Sequence, residues 1–258
     1  MKKVILSAFA AVSLIMGTVT ITGPAEAAPG AKPPAQDWSW QGPFGTFDRP
    51  SLRRGLQVYS EVCSGCHSLN LVAYRALGEV GFSIDEIKAF ASEFEVVDGP
   101  DEDGEMFDRE AIPSDMFVSP FENENAARAS NNGAMPPDLS LMTKARFNGP
   151  DYLLALLTGY EEDAPAGVEL MDGMSYNHYF PGNQIAMAMP IDDDSVEYAD
   201  GTEATQDQIA RDVVTFLAWA AEPELEERKR LGIKVMIFLI FLTGLLYALK
   251  RKVWADQH

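Results

Sequence analysis

Apolar residues along this chain follow three rhythms: a diluted run near the start, helical spacing through the middle, and an almost unbroken run near the end. Val4 to Ile21 is apolar but interrupted by Ser, Thr, Ala and Gly, whereas Leu231 to Leu249 is broken only by Gly232, Lys234, Thr243 and Gly244. Between them, Leu52, Leu56, Tyr59 and Cys63 recur at helical spacing with Val62 beside them, predicting a helix opened by Asp48 to Ser51. Ser83-Ile84-Asp85-Glu86 reads as a capping box, and Ile84, Ile87, Phe90 and Phe94 form the stripe behind it. Asp151 to Thr158 is a further short helix carrying Tyr152, Leu153, Leu156 and Leu157. Thr205-Gln206-Asp207-Gln208 is a second capping box, followed by Ile209, Val213, Phe216, Leu217 and Ala220 on one face, with Pro223 as the stop.

The intervening segments lack either period. Residues 28–37 are a Pro- and Ala-rich lead-in, and Trp38, Trp40, Phe44 and Phe47 are expected to pack on the domain surface. Asp98 to Glu110 is acidic and glycine-containing, the composition of a surface loop. Asn131 to Ser140 is turn-forming throughout and leads to Lys144 and Arg146. Gly159 to Ser195 shows neither helical nor strand alternation, and no internal repeat is visible. The expected fold is mainly α, with long loops wrapped around a bulky prosthetic group.

The two end runs set the organisation. Met1-Lys2-Lys3, the apolar stretch and Ala25-Glu26-Ala27 have the three parts of a secretory signal peptide, predicting cleavage after about Ala27. Leu231 to Leu249 would span roughly 28 Å as a helix, enough to cross a bilayer. Lys234 can snorkel at one boundary, and Tyr247 and Trp254 suit the other. Basic residues flank both sides (Arg228 to Arg230 and Lys250 to Lys252), so orientation rests on the export signal. The expected layout is signal peptide 1–27, periplasmic domain 28–230, transmembrane anchor 231–249 and cytoplasmic tail 250–258 of a bacterial inner-membrane protein.

Charge narrows the partners. The chain has 39 Asp and Glu against 20 Lys and Arg, a net −19. That balance excludes a nucleic-acid partner as the main reading and suits a basic protein partner.

The chemistry is concentrated in Cys63-Ser64-Gly65-Cys66-His67, which holds both cysteines and one of three histidines. C-x-x-C-H is the attachment signature of a c-type haem. Two thiols at this spacing reach the two vinyl groups of one porphyrin edge and form thioethers. The following imidazole is then held beneath the iron. A structural zinc site needs four ligands, and His178 and His258 have no finger-like spacing from the cysteines. A thioredoxin-type dithiol expects a βαβ context, which these flanks lack, and leaves His67 without a role.

What stands opposite His67 decides function. An open site permits ligand binding or peroxide chemistry; a Met sulfur closes it and favours electron transfer. His178 could complete a bis-histidine pair, and Met135, Met174, Met187 and Met189 all lie in loops able to fold over a haem face. Spacing does not choose among them.

Nearly all of the chain after the signal resembles the cytochrome c1 family, the haem subunit of bc1-type quinol–cytochrome c oxidoreductases. The resemblance is carried by Tyr59 through Ser68, Val72-Ala73-Tyr74-Arg75, Asp98-Gly99-Pro100, Asn131 through Ser140 with its Pro-Pro-Asp-Leu-Ser, Leu156 through Tyr160, Tyr179-Phe180-Pro181-Gly182, and Trp219 through Glu224 before the anchor. It implies one covalent haem c on Cys63 and Cys66, ligated by His67 and by Met187 of Ile185-Ala186-Met187-Ala188. It further implies that Arg146 holds a haem propionate and that Tyr152 packs near the ring. The sequence departs from the familiar pattern at Met189, where proline is usual, and at Phe147-Asn148-Gly149, where His-Gly-Gly is common. The implied role is electron relay from a Rieske iron–sulfur protein to a soluble c-type cytochrome, beside cytochrome b and membrane lipid in a dimeric complex. No bond of a substrate is made by this chain itself. Acidic stretches at 98–110, 161–163 and 192–194 are expected to steer a basic acceptor. Two rival readings are a tethered cytochrome outside such a complex and a haem sensor or peroxidase with an open sixth position.

Overall fold

The computed structural model describes residues 30–257; the expected signal peptide lies outside the described residues. In chain order the elements are α1 (Arg49–Val58), α2 (Leu77–Val80), α3 (Ile84–Ala91), β1 (Glu95–Asp98), β2 (Phe107–Glu110), α4 (Glu124–Ser130), α5 (Met142–Ala145), α6 (Gly149–Thr158), β3 (Ser175–Tyr176), β4 (Gln184–Ile185), α7 (Gln206–Ala221) and α8 (Leu225–Val253). Helices dominate. Two short antiparallel ribbons, β1–β2 and β3–β4, are the sheets among the described residues.

The domain is built on the crossing of α1 and α7. Gly55 makes close approach possible: a Cβ there would lie 2.1 Å from the Asp212 carbonyl oxygen and 2.6 Å from Phe216 Cβ. The Asp212 carboxylate, fully buried in α7, is satisfied from both helices. It accepts from Ser51 Oγ at 2.6 Å, from Arg54 Nε and Nη2 at 2.8 and 3.1 Å, and from Gln208 Nε2 at 2.9 Å. A buried carboxylate persists only with such a complete set of donors. The α7 stripe of Ile209, Val213, Phe216, Leu217 and Ala220 is buried as expected.

An aromatic chain extends this core toward the C-x-x-C-H turn. Tyr74 stacks on Phe117 with ring centroids 4.6 Å apart. Tyr59 meets Phe117 edge-on at 5.9 Å and Phe216 at 5.8 Å. These centroid distances are in the range favoured by aromatic pairs.

Several expectations require correction. The 98–110 segment is not wholly loop: Phe107–Glu110 pairs with Glu95–Asp98, and Arg109 links Asp98 to Asp115. Both faces of that ribbon are largely exposed, so no alternation marks it in the sequence. Helix α4 precedes the turn-forming stretch 131–140 and has no counterpart among the expected elements; Asn123 Oδ1 caps it by accepting from Ala126 N at 3.0 Å. The Ser83–Glu86 capping box forms in full, but Ile84 behind it is exposed while Ile87 is buried. Thr205 accepts from Gln208 N, yet the Gln208 side chain serves Asp212 instead of closing a box. Trp38, Trp40 and Phe47 are buried rather than superficial, Trp38 and Trp40 stacking at 4.8 Å; Phe44 is exposed.

Helix α8 is longer than the apolar run, beginning at Leu225 inside the charged stretch. Its 29 residues are long and apolar enough to cross a membrane. The turns before Leu231 are docked on the domain. Glu226 accepts from Phe47 N and pairs with Arg49, while Lys229 donates to the carbonyls of Trp40 and Gly45. These contacts fix the domain to the first turns of α8.

Candidate functional site

The C-x-x-C-H turn grows out of the end of α1. After Val58 the helix widens, and Ser64 N bonds the Tyr59 carbonyl at 2.8 Å, an i→i+5 step. Such wide turns within helices gather at functional sites. The chain then closes tightly: Cys66 N and His67 N both donate to the Cys63 carbonyl, at 3.1 and 2.9 Å. Gly65 is exposed with nothing near its Cα face, so the turn needs glycine for no packing reason.

Cys63 is partly buried and Cys66 exposed, and no disulfide joins the two. Burial, then the neighbouring Cys66, pushes the Cys63 thiol up to about 12. A dithiol redox centre works through a thiolate whose pKa is lowered, so this environment is the wrong one for that chemistry.

His67 is oriented by a backbone oxygen. Its Nδ1 lies 2.8 Å from the Pro137 carbonyl, which can only accept, so Nδ1 carries the proton and Nε2 is left bare. Burial lowers the imidazole's pKa, outweighing the Pro137 carbonyl and the Asp138 charge, which raise it. A neutral ring with one nitrogen anchored and the other bare is the form that ligates a metal. The residues therefore fit a c-type haem: two thiols, an adjacent imidazole and a set tautomer.

The partner loop is itself pinned. Asp138 Oδ2 accepts from Ser68 Oγ at 2.9 Å and Asn70 N at 2.8 Å, and Oδ1 from Ser140 N at 2.8 Å. Leu139 N donates to the Ser68 carbonyl at 2.9 Å, and Leu71 N to Ser140 Oγ at 3.0 Å. Tyr59 closes the other side, its hydroxyl donating to the His67 carbonyl at 3.1 Å. The turn-forming Pro-Pro-Asp-Leu-Ser is thus a clamp on the histidine. Sequence reasoning singled out neither Pro137, Asp138 nor Tyr59 for this role. The signal available was the Pro-Pro-Asp turn itself, which predicts a rigid loop but not what its carbonyl faces.

The methionines with access to the loops differ in their surroundings. The Met189 sulfur lies 3.6 Å from Gln206 Nε2, which donates to it, and the residue is 46% exposed. Met135 is 40% exposed, while Met174 and Met187 are half-buried. Met187 follows β4, whose ribbon is set by Asn177. The buried Asn177 side chain donates to the Leu156 carbonyl at the end of α6 and accepts from Tyr179 N and Phe180 N. His178 is exposed, its ring edge-on to Tyr179.

Arg146, at the end of α5, is exposed, with a 3.4 Å contact to the Ala145 carbonyl. Tyr152 is half-buried one turn into α6 and packs on the core. Burial raises its phenol, and the nearby Arg146 charge opposes the shift. The two residues are thus electrostatic neighbours, although no hydrogen bond joins them.

Comparison with known proteins follows the same residues. Residues 38–257 match the Cytochrome C1 family. The chain is 51% identical over 236 residues to cytochrome c1 of Rhodospirillum rubrum, covering 86% of this chain and 87% of that one. It is 54% identical over 226 residues to the mitochondrial cytochrome c1 haem protein of Saccharomyces cerevisiae, covering 88% and 73%. It is 50% identical over 248 residues to the cytochrome b/c1 protein of Bradyrhizobium diazoefficiens. That match takes in 88% of this chain but only 36% of the longer protein's length.

Proposed function

The chain belongs to the cytochrome c1 family, whose role is electron transfer, and from that premise we propose that it is the single-pass haem subunit of a bacterial bc1-type complex. Haem c is its cofactor. In this reading the domain takes one electron from a Rieske iron–sulfur protein and delivers it to a soluble c-type cytochrome. It stands on the periplasmic face beside cytochrome b, in a dimeric assembly, with α8 in the inner membrane.

Each residue has a defined task. Cys63 and Cys66 hold the group covalently. His67 would offer Nε2 to the iron, with the Pro137 carbonyl keeping Nδ1 protonated and the ring fixed. Met187 would offer its sulfur as the second protein ligand, and Arg146 and Tyr152 would lie beside the group, Arg146 pairing with a propionate. Bound there, haem c supplies an iron that accepts and releases single electrons without making or breaking a substrate bond.

The observation that carries the reading is the 2.8 Å contact between His67 Nδ1 and the Pro137 carbonyl, which sets the imidazole for metal ligation directly after the two thiols. Solubilised membranes provide the test. The polypeptide is expected to keep its pigment through acid–acetone extraction and to co-purify with a cytochrome b and a Rieske protein. Purification as a free cytochrome would support the tethered shuttle instead. Ready carbon monoxide binding to the reduced protein would support the open-site reading.

A further inference from the structure

Five buried side-chain polar atoms have no hydrogen-bond partner among the described residues: Ser60 Oγ, Trp219 Nε1 and the hydroxyls of Tyr74, Tyr160 and Tyr198. Three of them have a local explanation. Tyr74 lies near the Val118 backbone, Tyr198 near Asp212 and Trp219 near Glu79, each within looser hydrogen-bonding reach. Ser60 Oγ, on the wide turn leading to the haem turn, has no acceptor within reach. Tyr160 has no such acceptor. Burial, followed by the neighbouring Tyr152, pushes its phenol far above the usual range, so it remains a donor.

The location narrows the missing acceptor. Tyr160 leaves the end of α6, and its backbone bridges Asn177, at the base of the loop leading to Met187. Its phenol is within electrostatic reach of Tyr152, and Tyr152 within reach of Arg146. Tyr160 is thus linked through Tyr152 to Arg146, the residue that the haem reading assigns to a propionate. A buried hydroxyl without an acceptor is rare and costly in native proteins. The porphyrin of haem c carries oxygen only in its two propionates.

We propose that the Tyr160 hydroxyl donates to a haem propionate, making it a cofactor-binding residue alongside Arg146. This rests on the haem reading above. A phenol sealed from water forms a charge-assisted hydrogen bond to a carboxylate, stronger than a neutral one, and helps hold that carboxylate ionised at the buried edge.

The test is redox-difference infrared spectroscopy of the purified complex, with 13C in the haem propionates. Tyr160→Phe should shift the labelled carboxylate bands while leaving covalent haem and the Met-to-iron charge-transfer band unchanged. Incorporating 3-fluorotyrosine at position 160 keeps the ring and makes a stronger donor, so it should move the same bands in the opposite direction. This second variant also decides the matter if Tyr160→Phe fails to assemble. Unmoved propionate bands in haem-bearing protein would overturn the assignment. A shift of the charge-transfer band instead would also overturn it, since the acceptor would then be the Met187 sulfur. Absence of covalent haem from the unaltered protein would be a different failure, that of the haem reading itself.

Discussion

His67 Nδ1 lies 2.8 Å from the Pro137 carbonyl, and seventy residues of chain separate the two. This contact couples the orientation of the candidate ligand to the stability of a distant loop. Asp138 holds that loop through three hydrogen bonds, so it acts on His67 without touching the iron. Asp138→Ala should retain covalent haem, lose about 1–3 kcal/mol in urea unfolding, and broaden the ferric low-spin EPR signal as the imidazole samples more orientations. A destabilised protein with an unbroadened signal would mean that Asp138 supports the fold alone.

The α1–α7 crossing should be the least tolerant part of the core. Asp212→Ala leaves the largely buried Arg54 guanidinium without its principal partner, and loss of one half of a buried pair typically costs about 3–5 kcal/mol. Gly55→Ala places a methyl group against the Asp212 carbonyl, and overpacking of this kind costs about 1–3 kcal/mol or more. Chemical denaturation of the two variants measures both. A Gly55→Ala protein as stable as the parent would show that the helices can separate freely.

Acid should unfold the domain through its paired carboxylates. Burial pushes Asp138, Glu222 and Glu226 upward, but hydrogen-bond donors outweigh it and all three lie below the ordinary range. Asp200 is held down to about 2 by Thr202 N and then Arg54. Each group binds its proton more weakly folded than unfolded, so the unfolded chain takes up more protons as pH falls. The stability they confer is complete above about pH 5 and drains away between about pH 4 and 2. Thermal unfolding followed from pH 7 to pH 2 should therefore show a plateau and then a steep fall. A melting temperature that rises on acidification through pH 4 would contradict the assignment.

The exposed acidic segments at 161–163 and 192–194, with Asp101 to Glu105, should speed encounter with a basic acceptor. At a Debye length of about 30 Å in 0.01 M salt and about 8 Å at 0.15 M, that attraction is largely screened by ordinary ionic strength. The bimolecular rate of acceptor reduction should fall several-fold over that interval. A rate independent of salt would remove the steering role.

Much of this was legible in the sequence because it depends on local spacing. The C-x-x-C-H turn, the Ser83–Glu86 capping box and the buried stripe of α7 are each set by residues within a few positions of one another. The rest depends on what meets at a distance. No side-chain pattern reports that the Pro137 backbone oxygen faces His67. Gln208 looked like the closing half of a capping box, but the buried Asp212 one turn later is the stronger acceptor. The β1–β2 ribbon escaped notice because a pair of exposed strands carries no alternation. For the sixth ligand, four loop methionines are equivalent in spacing and differ only in their surroundings: Gln206 donates to the Met189 sulfur, whereas Met187 is half-buried behind the Asn177-set ribbon.

The central claim is that one chain supplies both axial ligands, His67 and Met187. The most direct measurement is the near-infrared Met-to-iron charge-transfer band of the oxidised protein, recorded for Met187→Leu and Met189→Leu. The band is expected to vanish in Met187→Leu, with carbon monoxide then binding the reduced form, and to persist in Met189→Leu. Persistence in Met187→Leu, or loss only in Met189→Leu, would contradict it.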